Sequence, residues 1–192
     1  MEVIILREAG WEEALYGLSL SYKDRATPYN QWWTPERKEK MRKIAAALAH
    51  RDGGHNKFLE SMQVWLDIEA PRYWWSEFDT YRVGVTKQSE STMHTLSKRD
   101  VTADDFGGRV LTATLNKLNW DRGQIAIDVL KSFLPESYLQ RRVVCTNYKA
   151  LKNIVKQREG HRLPEWQMFN DTMDYLEHSE FITGYNSAEV VK

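Results

Sequence analysis

A single cysteine, Cys145, in 192 residues leaves the chain without the means to build a disulfide framework or a cysteine-based zinc site of its own. Net charge is lacking too, because 27 Lys+Arg are balanced by 27 Asp+Glu. That balance argues against bulk electrostatic binding to long nucleic acid. It leaves room for a small anionic ligand held by a few arginines. No apolar run approaches the roughly 20 residues that span a bilayer. The opening MEVIILRE carries an acid at position two and an apolar run too short for a secretory signal. A cytoplasmic protein with no membrane contact is the expectation. Repeats, low-complexity tracts and Pro/Gly/Ser linkers are also missing, so the chain reads as one domain over 1–192. The motifs G-x-S-x-G, P-loop, G-x-G-x-x-G and H-E-x-x-H do not occur, and Gly53-Gly54 and Gly107-Gly108 are isolated pairs of the kind that mark turns. His55, His94 and His161 show no ligand spacing to one another or to acids, so no metal is expected.

What is present is a chain able to bury a core. Its 42% hydrophobic fraction excludes disorder, and its 28% charged fraction argues against a membrane protein. Val3 to Leu6 is a short β-rich run. From Trp11 the apolar residues Trp11, Ala14, Leu15 and Leu18 recur at helical spacing. After the irregular stretch 24–33, Thr34 as cap and Pro35 at the first helical position start a helix with Met41, Ile44, Ala45 and Leu48 inward. Residues 62–69 alternate strictly, with Met62, Val64, Leu66 and Ile68 on one face, which predicts a half-buried strand closed by Pro71. Residues 72–82 suit a helix, whereas 83–95 show no period and read as a loop. A mostly polar helical region runs to about Trp120, and Ile125 to Phe133 suits another helix. Arg141 to Thr146 is strand-like, Asn147 to Arg158 is helical, and a last helix follows Pro164. Helices outnumber separated strands, which predicts a mixed α/β (α+β) fold with a small, partly antiparallel sheet packed with several helices.

Several constellations carry chemistry or mere structure. On the helix 147–158, positions 147, 151, 154 and 158 share a face that reads Asn, Leu, Ile, Arg. Arg141 and Arg142 point to opposite faces of the strand before it. One strand arginine and one helix arginine can converge on a phosphate, where the guanidinium fork gives bidentate contacts. The plainer reading makes these solvated surface charges. The run YWWSEF (73–78) suits core packing, a subunit contact or ligand stacking. Ser89, Glu90 and Ser91, with Thr92 and His94, offer hydroxyls, a carboxylate and an imidazole to a polar ligand such as a nucleotide.

The segment LPESYLQRRVVCTNYKALKNIVKQREGH resembles the ThyX family, the flavin-dependent thymidylate synthases, in its Leu-Pro, strand, and Asn-led helix ending in Arg. GHNKFLESMQVWLDIEAP is similar to the family's Gly-His turn, the strand after it and the Ala-Pro that closes it, and the likeness can be followed from about residue 2 to residue 175. The resemblance implies a ThyX-like fold, a homotetramer with shared sites, and pyrimidine metabolism: reductive methylation of dUMP with FAD, NADPH and methylenetetrahydrofolate. The flavin then supplies the hydride, and the protein binds and polarises. Carried over by position, Arg158 and His55 stand at the reaction centre. Arg141 and Arg158, with Glu90 and Ser91, fall on the substrate. His55, Arg82, Asn147, Lys149 and Asn153 fall on the cofactor, with Lys149 where the family often has arginine.

The family signature R-H-R-x-x-S-x-N-x-x-S-x-R-Y is largely lost. Aligned from Ala70-Pro71, only Arg82 survives, and threonines stand at 80 and 92 in place of arginines that would contact flavin and substrate phosphate. A one-residue shift puts Ser91 on the family serine, but no arginine follows it. Two functions therefore compete: a divergent flavin-dependent enzyme, and a nucleotide-binding protein without turnover. A structural oligomer with no ligand is the third.

Overall fold

In the computed structural model of the chain, residues 1–51 and 53–183 are described. The elements in order are β1 (Glu2–Ala9), α1 (Trp11–Ser19), α2 (Tyr29–Trp32), α3 (Pro35–Ala49), β2 (Gln63–Pro71), α4 (Arg72–Phe78), β3 (Thr86–Ser89), α5 (Thr92–Thr95), α6 (Thr112–Asp121), α7 (Ile127–Ser132), β4 (Leu139–Asn147), α8 (Tyr148–Arg158) and α9 (Pro164–Met173). Short 3-10 turns lie between them. The strands form one antiparallel sheet in the order β1-β2-β4-β3. The mixed α/β class with a small sheet is as the sequence predicts.

Local chemistry explains most of the boundaries. Thr34 accepts a hydrogen bond from the Arg37 amide at 3.3 Å and caps α3, with Pro35 directly after it. Asn147 does the same for α8 by accepting from the Ala150 amide at 2.9 Å. Gly10 lies at φ +92 between β1 and α1, where a Cβ would sit 2.3 Å from the Ser61 carbonyl oxygen. In β2 the alternation holds: Val64, Leu66 and Ile68 are fully buried, while Gln63, Trp65, Asp67 and Glu69 remain half-exposed.

The segment 83–95 differs from expectation. It contains the four-residue strand β3 and the single-turn helix α5. Elements this short leave no period to read. Pairing imposes them, as where the Glu90 amide donates to the Arg141 carbonyl at 3.0 Å.

Two compact units divide the chain, and three strands run through both. The first comprises Met1–Ile4, Asp67–Arg82 and Thr86–Val144. It holds one apolar cluster of Leu96, Val101, Phe106, Leu118, Leu130, Leu134 and Tyr138. It also holds the aromatic set Trp74, Trp75 and Phe78, with ring centroids 5.0 to 5.6 Å apart. The second unit comprises Ile5–Leu66, Val83–Val85 and Cys145 onward. Its core includes Leu15, Met41, Leu59, Met62, Tyr148, Leu151, Ile154, Trp166 and Phe169.

Candidate functional site

Arg141 and Glu90 come together in the first unit. The Arg72 amide bonds the Tyr138 carbonyl and the Tyr148 amide bonds the Met62 carbonyl, which sets Glu69 opposite Arg141 in the register of β2 and β4. Arg141 accordingly donates from Nε to Glu69 Oε1 at 3.4 Å and from Nη1 to Asp67 Oδ2 at 3.2 Å. Its Nη2 donates to Glu2 Oε2 at 2.6 Å, and its backbone amide donates to Glu90 Oε1 at 3.1 Å. The Glu2 bond, with Asp67 and Glu69 behind it, holds the guanidinium above its ordinary pKa against the cost of burial. Glu69 and Glu90 line a cleft of about 440 Å³ with Tyr138, Leu96, Leu139 and Arg99. Burial first, then the charges of Asp105 and Glu90, push the Tyr138 phenol up, so it stays protonated as a donor.

Arg142 points the other way, as alternation requires. Its guanidinium lies 4.3 Å from the centroid of the Trp75 ring, and Nη1 bonds both oxygens of Asp79 at 3.0 and 3.1 Å. Lys87 joins the same carboxylate at 2.9 Å. Burial raises the Asp79 pKa, but the Lys87 and Arg142 hydrogen bonds outweigh it and leave the group below its ordinary value. Trp74 and Trp75 are buried to 0% and 1% exposure, so within this unit they pack its core. Arg82 and Ser91 are exposed. Thr80 donates to the Glu77 carbonyl at 2.7 Å, and the Thr92 side chain is buried. Thr80 is exposed, whereas Thr92 is 4% exposed.

The remaining candidates stand in the second unit. His55 is exposed in a turn and lines a cleft of about 410 Å³ with Lys57, Phe58, Glu60, Ser21 and Ser61. Lys149 of α8 pairs with Glu60 at 2.5 Å, which brings it to this cleft's rim. Asn153 lies one helical turn further along, exposed. On the adjoining face, Leu151 and Ile154 are buried, while Asn147 and Arg158 mark the two ends, about 16 Å apart by helical rise. The sequence places that face correctly. Asn147 is committed structurally: its oxygen caps the helix, and its Nδ2 would be 2.6 Å from a Cβ at Gly84, which adopts φ +69. Arg158 lies 4.4 Å from the Trp166 ring centroid and 3.1 Å from His161 Nε2.

Sequence reasoning missed the partners. Alternation put Asp67 and Glu69 on one face of β2, but nothing local told which strand would bring an arginine to them. Among the described residues, no group of three or more His, Cys, Asp or Glu is placed to hold a metal, and no helix is long and apolar enough to cross a membrane.

No protein-family model matches the chain, and no curated protein matches it in sequence. Solved structures do match in fold. The flavin-dependent thymidylate synthase ThyX from Helicobacter pylori, complexed with FAD and dUMP, superposes with a TM-score of 0.76 at 18% identity, covering 97% of this chain and 100% of that one. A second crystal structure of ThyX from Helicobacter pylori with FAD and dUMP gives 0.73 at 19% identity, over 96% and 98%. The UMP/dUMP methylase PolB from Streptomyces cacaoi, bound with 5-Br dUMP, gives 0.67 at 13% identity, over 96% and 95%. With so little identity and so complete a superposition, the fold of this chain is ThyX-like and its sequence is far diverged.

Proposed function

We propose that the chain is a pyrimidine-nucleotide protein that takes dUMP and, with a flavin, carries out ThyX-type reductive methylation or a related modification of the base. One observation carries this reading: the fold likeness extends over 97% of the chain, and the chain forms the strand–helix passage from Arg141 to Arg158 as β4 and α8. That passage bears the residues assigned by resemblance to the nucleotide. Arg141 and Arg158 bind phosphate and pyrimidine, with Glu90 and Ser91 contributing polar contacts. His55, Lys57 and the ring wall of Phe58, on an open cleft, suit the planar ring of a flavin. Arg82, Lys149 and Asn153 supply further polar contacts, and Asn147 fixes the start of α8. A bound flavin supplies the hydride; NADPH and methylenetetrahydrofolate are the co-substrates of the same proposal. A cytoplasmic homotetramer with sites shared between copies belongs to it as well.

A second reading, nucleotide binding without turnover, draws on Thr80, Thr92 and Lys149. Threonine stands at 80 and 92 where the family carries arginine, and the lysine is paired with Glu60. Less charge is then left for a flavin.

Absorbance after incubation with FAD, dUMP calorimetry, and tritium release from 5-tritiated dUMP in the presence of both co-substrates separate the readings. The enzyme reading expects a yellow protein and tritium release. A colourless protein that binds dUMP leaves the second reading standing, and absence of both overturns the pair. Arg158→Ala is expected to weaken dUMP about tenfold or more, the scale of a lost charge-assisted contact.

A further inference from the structure

Arg141 is the arginine assigned to phosphate, yet its three guanidinium nitrogens already face carboxylates of the same unit: Glu2, Asp67 and Glu69. One positive side chain among these three acids leaves the patch with a formal charge of −2, and Glu90 on the Arg141 amide makes it −3. A mononucleotide phosphate brings about −2 of its own near neutral pH. Coulomb repulsion between two such groups at contact distance opposes binding, most strongly at low ionic strength.

The three carboxylates are unequal. Asp67 is the most enclosed, with 21% of its side chain exposed, and Glu69 sits on the paired neighbouring strand. Glu2 is 54% exposed, at the first residue of β1, and makes the shortest of the three contacts. An exposed pair of this kind is worth little on its own, so Glu2 is the arm that a competing anion displaces. Asp67 and Glu69 stay and hold the guanidinium in position.

We propose that Glu2, Asp67 and Glu69 serve Arg141 as a built-in counter-anion, and that dUMP reaches this arginine only by displacing Glu2. The inference rests on the nucleotide reading above and adds a specificity: this chain gains little from the phosphate, so deoxyuridine binds nearly as well as dUMP. Glu2 thereby becomes a specificity-determining residue whose charge works against the ligand.

Calorimetry with dUMP and with deoxyuridine on the wild type and on Glu2→Gln tests this. Glutamine keeps the size and removes the charge. The expected result is dUMP binding tightened about three- to tenfold, the worth of one partly exposed charge, with deoxyuridine unchanged. Added salt should then weaken dUMP binding to Glu2→Gln more than to the wild type. If Glu2→Gln leaves dUMP binding unchanged or weakens it, the inference fails while the nucleotide reading stands. If neither compound binds either protein, the nucleotide reading fails, and thermal shift with inorganic phosphate decides the inference alone. A phosphate-induced rise in Tm in Glu2→Gln and not in the wild type upholds it. No rise in either, or an equal rise in both, overturns it.

Discussion

The two faces of β4 treat neighbouring arginines in opposite ways. Arg142 lies over a tryptophan that is 1% exposed, and its carboxylate partner is shared with Lys87. Arg141 has no such platform among the described residues; it is held by partly exposed carboxylates that reach it from β1 and β2. A cation packed on a buried ring belongs to the architecture and moves only if the core moves. A cation held by solvated acids can be exchanged from one anion to another at modest cost. Charge totals hide this difference.

The comparison can be broken most forcefully at Trp75. Trp75→Ala removes a fully buried ring together with its bond from Nε1 to the Gln140 carbonyl at 2.8 Å. A loss of about 3–5 kcal/mol is expected in urea denaturation, and a value below about 1 kcal/mol would place Trp75 outside the core.

Acidification gives a smaller effect, to which His178 and Asp79 contribute at different pH. Burial lowers the His178 pKa, outweighing the nearby Glu177 charge; the ring lies tilted against Trp11 at 4.0 Å between centroids. A lowered histidine pKa means that the unfolded chain binds the proton first, so stability is full above about pH 6.5 and declines as pH falls below it. The depressed Asp79 carboxyl acts further down: its stabilisation is present above the ordinary carboxylate pKa of about 4 and is lost as pH falls through its lower folded value. Denaturant midpoints from pH 8 to pH 3 should therefore fall in two stages. His178→Phe should remove the upper stage, and Asp79→Asn should shrink the lower, to which the depressed Asp105 carboxyl, held by Arg99, also contributes. A single stage common to all three proteins would contradict this.

The smallest effect sharpens the contrast. Arg142→Ala should cost about 1–2 kcal/mol through lost packing and a half-buried carboxylate left without it. Arg141→Ala should cost less, about 0.5–1 kcal/mol, because the three ion pairs it breaks, to Glu2, Asp67 and Glu69, are partly exposed. Equal costs in parallel thermal melts would erase the distinction between the two faces.

How far these features were legible follows from the range of the forces involved. The strict alternation of residues 62–69 and the Thr34-Pro35 start of α3 are local, and both stand as expected. So does the α8 face, with Leu151 and Ile154 buried between Asn147 and Arg158. β3 and α5 were not legible, because four residues carry no period and the neighbouring strand imposes their form. Nor was the company of Arg141, since Glu2 and Asp67 lie 139 and 74 residues away in sequence. Strand order alone brings them together. Trp74 and Trp75 were open to several readings for a related reason: an aromatic run looks the same in a core, a subunit contact and a ligand wall.

The contact between Gly84 and Asn147 reaches beyond the cap it protects. A methyl group at position 84 would need the carboxamide at 147 to swing away, and that swing would strip α8 of its first-turn acceptor. Two sites 63 positions apart are thus bound into one unit of inheritance. Freeing the carboxamide would still not open position 84, because its left-handed backbone strains any side chain whatever the space.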